Sequence, residues 1–132
     1  MFLQINPSSA LPIYAQIINQ IKYLIATGTL MPKNQLPSVR QLAIQLRINP
    51  NTVAKAYREL EHEKIIFTRR GQGTFVAQEA VVIGKKERVK IITKLIDQML
   101  VESFHLNLNQ VEIQRIIKKE LKKFKHRKKV KK

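Results

Sequence analysis

The sequence predicts a mainly α-helical fold with a small β element, arranged as one small domain followed by a short helical extension. Three observations predict it. Apolar residues recur at helical spacing in five separate stretches, starting near Ile13, Val39, Val53, Val89 and Ile113. Two β-prone runs, Ile65-Ile66-Phe67 and Thr74-Phe75-Val76, flank a glycine-bearing turn. The chain has 132 residues with 44% apolar content, enough for one modest core.

Residues 2–6 alternate weakly, with Phe2 and Ile5 apolar, and end at Pro7, which suits at most a short extended arm. A helix is expected from about Pro12 to Thr27. Pro12 fits the first helical position, where a missing N–H costs nothing. Ile13, Ile17, Ile21, Leu24 and Ile25 share one face, and Gly28 supplies the stop. Thr29 to Pro37 contains two prolines and reads as a loop. Ser38 and Gln41 have the spacing of a capping box and open a short second helix that ends near Arg47. Its apolar face is Val39, Leu42, Ala43 and Leu46.

Asn49 and Pro50 open a third helix, as cap and first-turn residue. Val53, Ala56, Tyr57 and Leu60 mark its inward face, so Asn51, Thr52, Lys55 and Arg58 share a different, polar surface. This helix fades by Glu63, and the expected hairpin follows, with Arg69 and Arg70 at its tip. Val81-Val82-Ile83-Gly84 reads as a linker or the start of a long helix. Val89, Ile92, Ile96 and Met99 then follow at 3-4-3 spacing, as in a short coiled-coil seam. A break is expected at His105 to Asn109, then a last helix capped by Asn109 and Glu112. Ile113, Ile116, Ile117, Leu121 and Phe124 lie on one side of it. Lys125 to Lys132 has no apolar periodicity and is expected to be disordered when unbound. The domains expected are therefore 1–78, a two-helix segment at 79–124 and a basic tail at 125–132.

Composition narrows the chemistry. No cysteine is present, which excludes a disulfide framework, thiolate metal sites and a cysteine nucleophile. The net charge is +16, from 25 Lys and Arg against 9 Asp and Glu, and so basic a small chain implies a polyanionic partner. Residues 79–132 carry +10 of that charge (16 basic, 6 acidic), and residues 1–78 carry +6 (9 basic, 3 acidic). No segment suits a membrane span, because Gln16, Asn19, Gln20 and Lys22 interrupt the longest apolar stripe. The N-terminus lacks the pattern of a secretory signal, so a cytoplasmic protein is expected. Catalysis finds little support. Asp97 is the only aspartate, His62, His105 and His126 are scattered, and His62-Glu63 lacks the second histidine of a zinc-protease motif. No enzyme, metal or cofactor is expected.

Helix, short helix, tight link at Arg47-Ile48-Asn49, third helix with an exposed polar face, then a hairpin: this order is a winged helix-turn-helix. The major groove of duplex DNA admits one helix, and base edges are read by short polar or bidentate side chains. Asn51, Thr52 and Lys55 are of suitable type and spacing. Arg69 and Arg70 can reach phosphates or the minor groove, and Ser38 with the free amides of the second helix can hold a phosphate.

The same residues carry a family resemblance. The runs Leu36-Pro-Ser-Val-Arg-Gln-Leu-Ala43, Asn49-Pro-Asn-Thr-Val-x-Lys-Ala-Tyr-x-x-Leu-Glu61 and Gly71-x-Gly-Thr-Phe-Val76, preceded by Gly28-x-Leu-x-Pro32, resemble the DNA-binding domain of GntR-family bacterial transcription regulators. Ser9-Ala-Leu-Pro-Ile-Tyr-Ala-Gln-Ile-Ile-Asn-Gln-Ile21 and the brief two-helix C-terminal segment resemble the short YtrA-type subfamily. The resemblance implies DNA contacts at Arg40, at Asn49, Asn51 and Thr52, and at the wing tip, Arg70 and Gly71. It implies a homodimeric repressor on an inverted repeat, linked to a transporter operon. Three positions depart from the family pattern. Lysines stand at Lys33 and Lys64 where glycine is frequent, and Pro50 stands where some relatives place an arginine. Lys64 takes left-handed strain if its helix ends in the usual way.

Each functional assignment has a plainer counterpart. Ser38 and Asn49 serve as helix caps in any case, Tyr57 reads as core, Arg58 suits a solvated face, and Lys22 and Lys94 read as solvated. The Val89 to Met99 stripe has little other mass to pack on, which favours dimerisation. Two other function classes compete with the regulator: a non-specific nucleoid-type protein, favoured by the basic tail, and a protein–protein adaptor. Base-reading types at Asn51 and Thr52 oppose the first, and the basic wing tip opposes the second. The C-terminal segment is too small to wrap a large ligand within one subunit, and the sequence specifies no small-molecule effector.

Overall fold

The computed structural model describes Met1 and residues 3–131, with side chains as far as Arg127. Phe2 and Lys132, the ends of the expected arm and tail, lie outside the described residues. The elements run α1 (Ile13–Ala26), β1 (Gln35–Leu36), α2 (Val39–Leu46), α3 (Pro50–His62), β2 (Ile66–Arg69), β3 (Gly73–Val76), α4 (Ala80–His105) and α5 (Gln110–Lys131). They form two compact units, Met1–Lys90 and Ile91–Lys132.

The first unit is a winged helix-turn-helix. Its core joins Ile17, Ile21 and Ile25 of α1, Leu42 and Ala43 of α2, and Val53, Ala56, Tyr57 and Leu60 of α3, with Leu36, Ile65, Ile66, Val76 and Ala80. Burying each such Leu, Ile or Val contributes about 1.5–3 kcal/mol, so this set is the main cohesive force of the unit. Pro12 is the cap of α1, one position earlier than expected, and its carbonyl accepts from the Gln16 amide at 3.1 Å. Gly28, at φ +81°, follows the end of α1.

The N-terminal arm is held to α1 by two glutamines one turn apart. Gln16, buried, accepts from the Asn6 amide and donates to the Asn6 and Leu11 carbonyls, each at 2.9 Å. Gln20 exchanges hydrogen bonds with both backbone groups of Gln4. Leu3 is thereby seated in the core. In the sequence these glutamines read only as interruptions of an apolar stripe.

The expected loop at Thr29–Pro37 contains a strand. β1 pairs antiparallel with β3, Gln35 opposite Phe75 and Leu36 opposite Thr74, giving a sheet ordered β1-β3-β2. Two residues are too few to show an alternation, and only the tertiary partner makes them a strand. The hairpin is as expected, with Ile66 opposite Val76 and Arg69 opposite Gly73. Gly73, at φ +126°, takes a backbone conformation that favours glycine, and a Cβ there would also displace the Gln35 side-chain amide, whose Nε2 would stand 2.5 Å away.

The first unit reaches past residue 78, the boundary expected from sequence. Val81 to Gly84 form the start of α4, with Ala80 and Ile83 packed on the core. A Cβ on Gly84 would stand 3.1 Å from Ile25 Cγ2, which marks a close approach of α4 to α1. Arg88 Nη1 donates to the Ala26 carbonyl at 3.1 Å, so a cation satisfies the C-terminal end of α1.

In the second unit, the rest of α4 and α5 are joined by a link closed with a reciprocal cap. Asn109 N donates to Glu112 Oε1 at 3.1 Å, and Glu112 N donates to Asn109 Oδ1 at 2.9 Å. The helix α5 is continuous to Lys131, where a disordered segment was expected from Lys125. Lysine and arginine are good helix formers, cations favour a helix C-terminus, and extending an existing helix carries no nucleation cost. The seam residues stay open within one chain: Ile92 is 54% exposed and Ile96 47%.

Both lysines that stand where glycine is frequent adopt left-handed backbone, Lys33 at φ +74° and Lys64 at φ +63°. Such a conformation costs a residue with a Cβ about 1–2 kcal/mol, part of which glycine loses again to unfolded-state entropy. Lys64→Gly should therefore stabilise the protein by about 0.5–1 kcal/mol, raising the thermal midpoint by a few degrees. A lowered midpoint in calorimetry would contradict the strain.

Candidate nucleic-acid interface

The surface anticipated from sequence is carried by α2, α3 and the wing, all in the first unit. Ser38 closes the capping box: its Oγ accepts from Gln41 N at 3.0 Å, and Gln41 Oε1 accepts from Ser38 N at 2.9 Å. Two of the amides thought available to a phosphate are thus already used. Those of Val39 and Arg40, in the first turn of α2, have no intrahelical acceptor. Arg40 projects from that turn and is exposed.

Arg47 ends α2 in left-handed backbone at φ +57°, and Ile48 N then bonds the Ala43 carbonyl at 3.0 Å. This places Asn49 as the cap of α3. Its Oδ1 accepts from Asn51 N at 2.8 Å, and its carbonyl accepts from Thr52 N at 3.0 Å. Pro50 has no N–H. The first donors of α3 are therefore satisfied internally, and any reading of DNA by this end of the helix falls to side chains.

Burial sorts the α3 side chains as the sequence pattern required. Val53, Ala56, Tyr57 and Leu60 are buried, Asn51, Lys55 and Arg58 are exposed, and Thr52 is half-buried. Tyr57 is a core residue: its hydroxyl donates to the Pro37 carbonyl at 2.7 Å, and burial pushes its phenol above the ordinary tyrosine range. Lys55 is not a free cation. Its Nζ lies 3.9 Å from the centre of the Tyr14 ring on α1, a cation–π contact that spacing alone does not reveal.

The wing is braced at both ends. Thr68 Oγ1 donates to Glu61 Oε1 at 2.5 Å and meets Thr74 Oγ1, its cross-strand partner, at 3.2 Å. The end of α3 is thereby tied to the hairpin. At the tip, Gln72 N bonds the Arg69 carbonyl at 2.9 Å, and Gln35 Nε2 donates to the Gln72 carbonyl at 3.3 Å. Arg69 Cζ stands 5.7 Å from the centre of the Phe67 ring. Arg70 and Gly71 are exposed. Glu61 and Thr68 were not among the expected functional residues. The Thr68–Thr74 pairing was readable from the hairpin register, but the reach of Glu61 was not.

Lys22, expected to be solvated, forms an ion pair with Glu63 at 3.3 Å. All three acids of residues 1–78 are Glu59, Glu61 and Glu63, at the far end of α3. These acids therefore lie away from the cap end of α3, while Arg69 on the wing shares a cleft with Glu61 and Glu79. Among the described residues there is no group of three potential metal ligands, and no helix is long and apolar enough to cross a membrane.

Comparison with known proteins agrees with this geometry. The family model for bacterial regulatory proteins of the gntR family matches residues 13–76. The chain is 40% identical over 116 residues to the HTH-type transcriptional repressor YtrA of Bacillus subtilis (strain 168), covering 88% of this chain and 89% of that protein. It superposes on a transcriptional regulator from Oenococcus oeni with a TM-score of 0.76 at 36% identity, covering 91% and 99% of the two chains. It also resembles the DNA-binding domain of AraR in complex with operator ORX1. The TM-score there is 0.52 at 30% identity, covering 58% of this chain and 99% of that one.

The Lys55–Tyr14 contact is testable in the free protein. A double-mutant cycle of Tyr14→Leu and Lys55→Ala, read by urea unfolding, should show a coupling of about 0.5–1 kcal/mol. Additive losses would mean that the ring does not hold the ammonium.

Proposed function

The chain belongs to the GntR family of bacterial transcription regulators, and from that premise we propose that it is a dimeric repressor that binds an inverted-repeat operator. The observation that carries this reading is the division of α3 into a buried apolar stripe and an exposed polar one, beside a cationic wing. In this proposal Asn51, Thr52 and Arg40 read bases. Arg58, Arg69, Arg70, the Gly71 backbone and the first turn of α2 at Ser38 hold phosphates. Lys55 contacts DNA from its seat on Tyr14. Asn49 caps α3 through Oδ1 and retains its amide nitrogen as a donor.

Two subunits are joined through residues 80–124. The exposed Ile92, Ile96 and Met99 of α4 and Ile116, Leu121 and Phe124 of α5 support this assignment, since one chain leaves them largely open to water. Pairing two winged units makes the second half-site contact intramolecular, which raises operator affinity without new contacts. The protein works in the cytoplasm, where its DNA lies. The basic tail at 125–132, with six cations, adds sequence-independent attraction. Control of a transporter operon is the biological setting in keeping with the YtrA-type resemblance.

Light scattering at micromolar concentration should give twice the chain mass. Ile92→Glu with Ile96→Glu should give monomers that keep the winged unit folded and bind operator far more weakly. A wild-type monomer, with and without operator, would refute the dimer.

Recognition is read by footprinting the DNA upstream of the gene for an inverted repeat, followed by titration on that site. Arg40→Ala or Thr52→Ala should each cost about 1–3 kcal/mol on operator, and Arg70→Ala should weaken binding to all sequences. An unchanged footprint in all three, with circular dichroism intact, overturns the site. Equal affinity of the wild type for operator and random duplex instead supports the nucleoid-type alternative.

A further inference from the structure

The helix α5 separates two chemistries on opposite sides. With 3.6 residues per turn, Arg115, Lys118, Lys119 and Lys122 fall within an arc of about 100°. Ile113, Ile116, Ile117, Leu121 and Phe124 occupy the other side. Within the second unit that apolar side meets α4. Ile113 and Ile117 line one cleft with Leu100 and Phe104, and Ile117, Leu121 and Phe124 line another with Met99. The four cations of the opposite arc are all exposed.

No carboxylate neutralises them. Glu112 is engaged by the Asn109 amide, and Glu120 pairs with Lys123 at 3.5 Å, the one ion pair of α5 among the described residues. Like charges three and four residues apart on a helix repel one another and destabilise it. The stripe is therefore a set of cations held in line at a cost that a polyanion would relieve.

We propose that the Arg115–Lys122 face of α5 is a second, sequence-independent contact with the backbone of duplex DNA, separate from the winged unit. This rests on the reading of the first unit as the operator-binding part. The stripe rises about 10 Å along the helix, the length of roughly three phosphates of one strand. Between Arg115 and Lys122 the arc holds no aromatic ring on which an unpaired base could stack, His126 lying one turn further on, which favours duplex over single-stranded partners. The same span holds no large apolar side chain, Val111 lying one turn before it. A helix lying on an acidic membrane buries its own apolar face there, whereas on α5 that face lines clefts with α4 and is the one assigned above to the subunit contact. Phosphates need only the cations. Once the winged unit is bound, DNA is the polyanion at highest local concentration.

The test uses the full chain with Arg115→Gln, Lys118→Gln, Lys119→Gln and Lys122→Gln combined, since glutamine keeps helix propensity. Binding to a random-sequence duplex of about 40 base pairs is titrated against salt, the length being ample for a contact of this size. The slope of log K against log salt should fall by roughly two to three per chain, and affinity at 0.1 M salt by roughly tenfold or more. Lys118→Arg, Lys119→Arg and Lys122→Arg combined should keep both. Should the glutamine variant lose helicity, Lys118→Gln with Lys122→Gln replaces it, with a slope loss of roughly one to two.

An unchanged slope and affinity overturns the proposal. So does loss of binding to phosphatidylserine vesicles with DNA binding intact, which would make a membrane the partner. Arg40→Ala on operator DNA separates the two readings. If it has no effect while the glutamine variant still lowers the slope, the first-unit reading fails and the stripe stands.

Discussion

The buried stripe of α3 is the constraint on which the rest of the first unit depends. Val53, Ala56, Tyr57 and Leu60 are each at most 4% exposed, against α1 and α2. Rotating α3 about its axis would open this core and bury Lys55 or Arg58 in its place, at a cost no surface contact could offset. The orientation of Asn51, Thr52, Lys55 and Arg58 toward solvent is thus a by-product of packing. The cap at Asn49 and the left-handed turn at Arg47 fix where the helix begins, and with that which side chains stand at its exposed end.

The wing depends on that same helix. Glu61 extends from the last turns of α3 to Thr68, and Thr68 meets Thr74 across the hairpin. The sheet also needs β1, whose Gln35 supports the tip through the Gln72 carbonyl. A short hairpin alone is marginal in water, and it becomes a defined projection here because both its base and its tip are anchored. The arginines at the tip then sit on a braced support. Lys55 follows the same logic, with its ammonium seated on Tyr14.

The second unit has the opposite character. Its helices are well capped but expose long apolar side chains, including Phe104 at 78% and Phe124 at 52%. Residues 91–132 form too small a unit to build a core of their own. Their sequence therefore encodes association more than self-sufficiency. Charge is segregated on the same helices, with the uncompensated cations of α5 turned away from its apolar side.

Five helices, the caps of α2, α3 and α5 and the hairpin were legible in the sequence because each rests on local chemistry. Periodicity marked the helix faces, Ser38-x-x-Gln41 and Asn109-x-x-Glu112 marked starts, and glycines marked the turn. The polar face of α3 followed directly, since burial of four residues leaves the others outside. What tertiary structure alone decided involves partners distant in sequence. Gln16 and Gln20 looked like flaws in an apolar stripe until Asn6 and Gln4 came to meet them. Lys22 found Glu63, and Lys55 found Tyr14. β1 is too short to have a signal and exists because β3 lies beside it. The unit boundary moved from 78 to 90 because Gly84 lets α4 approach Ile25 and Arg88 reaches the end of α1. The physical reason is the same throughout: periodicity and capping are properties of neighbouring residues along one chain, whereas these contacts arise only after the core has brought remote segments within a few ångströms.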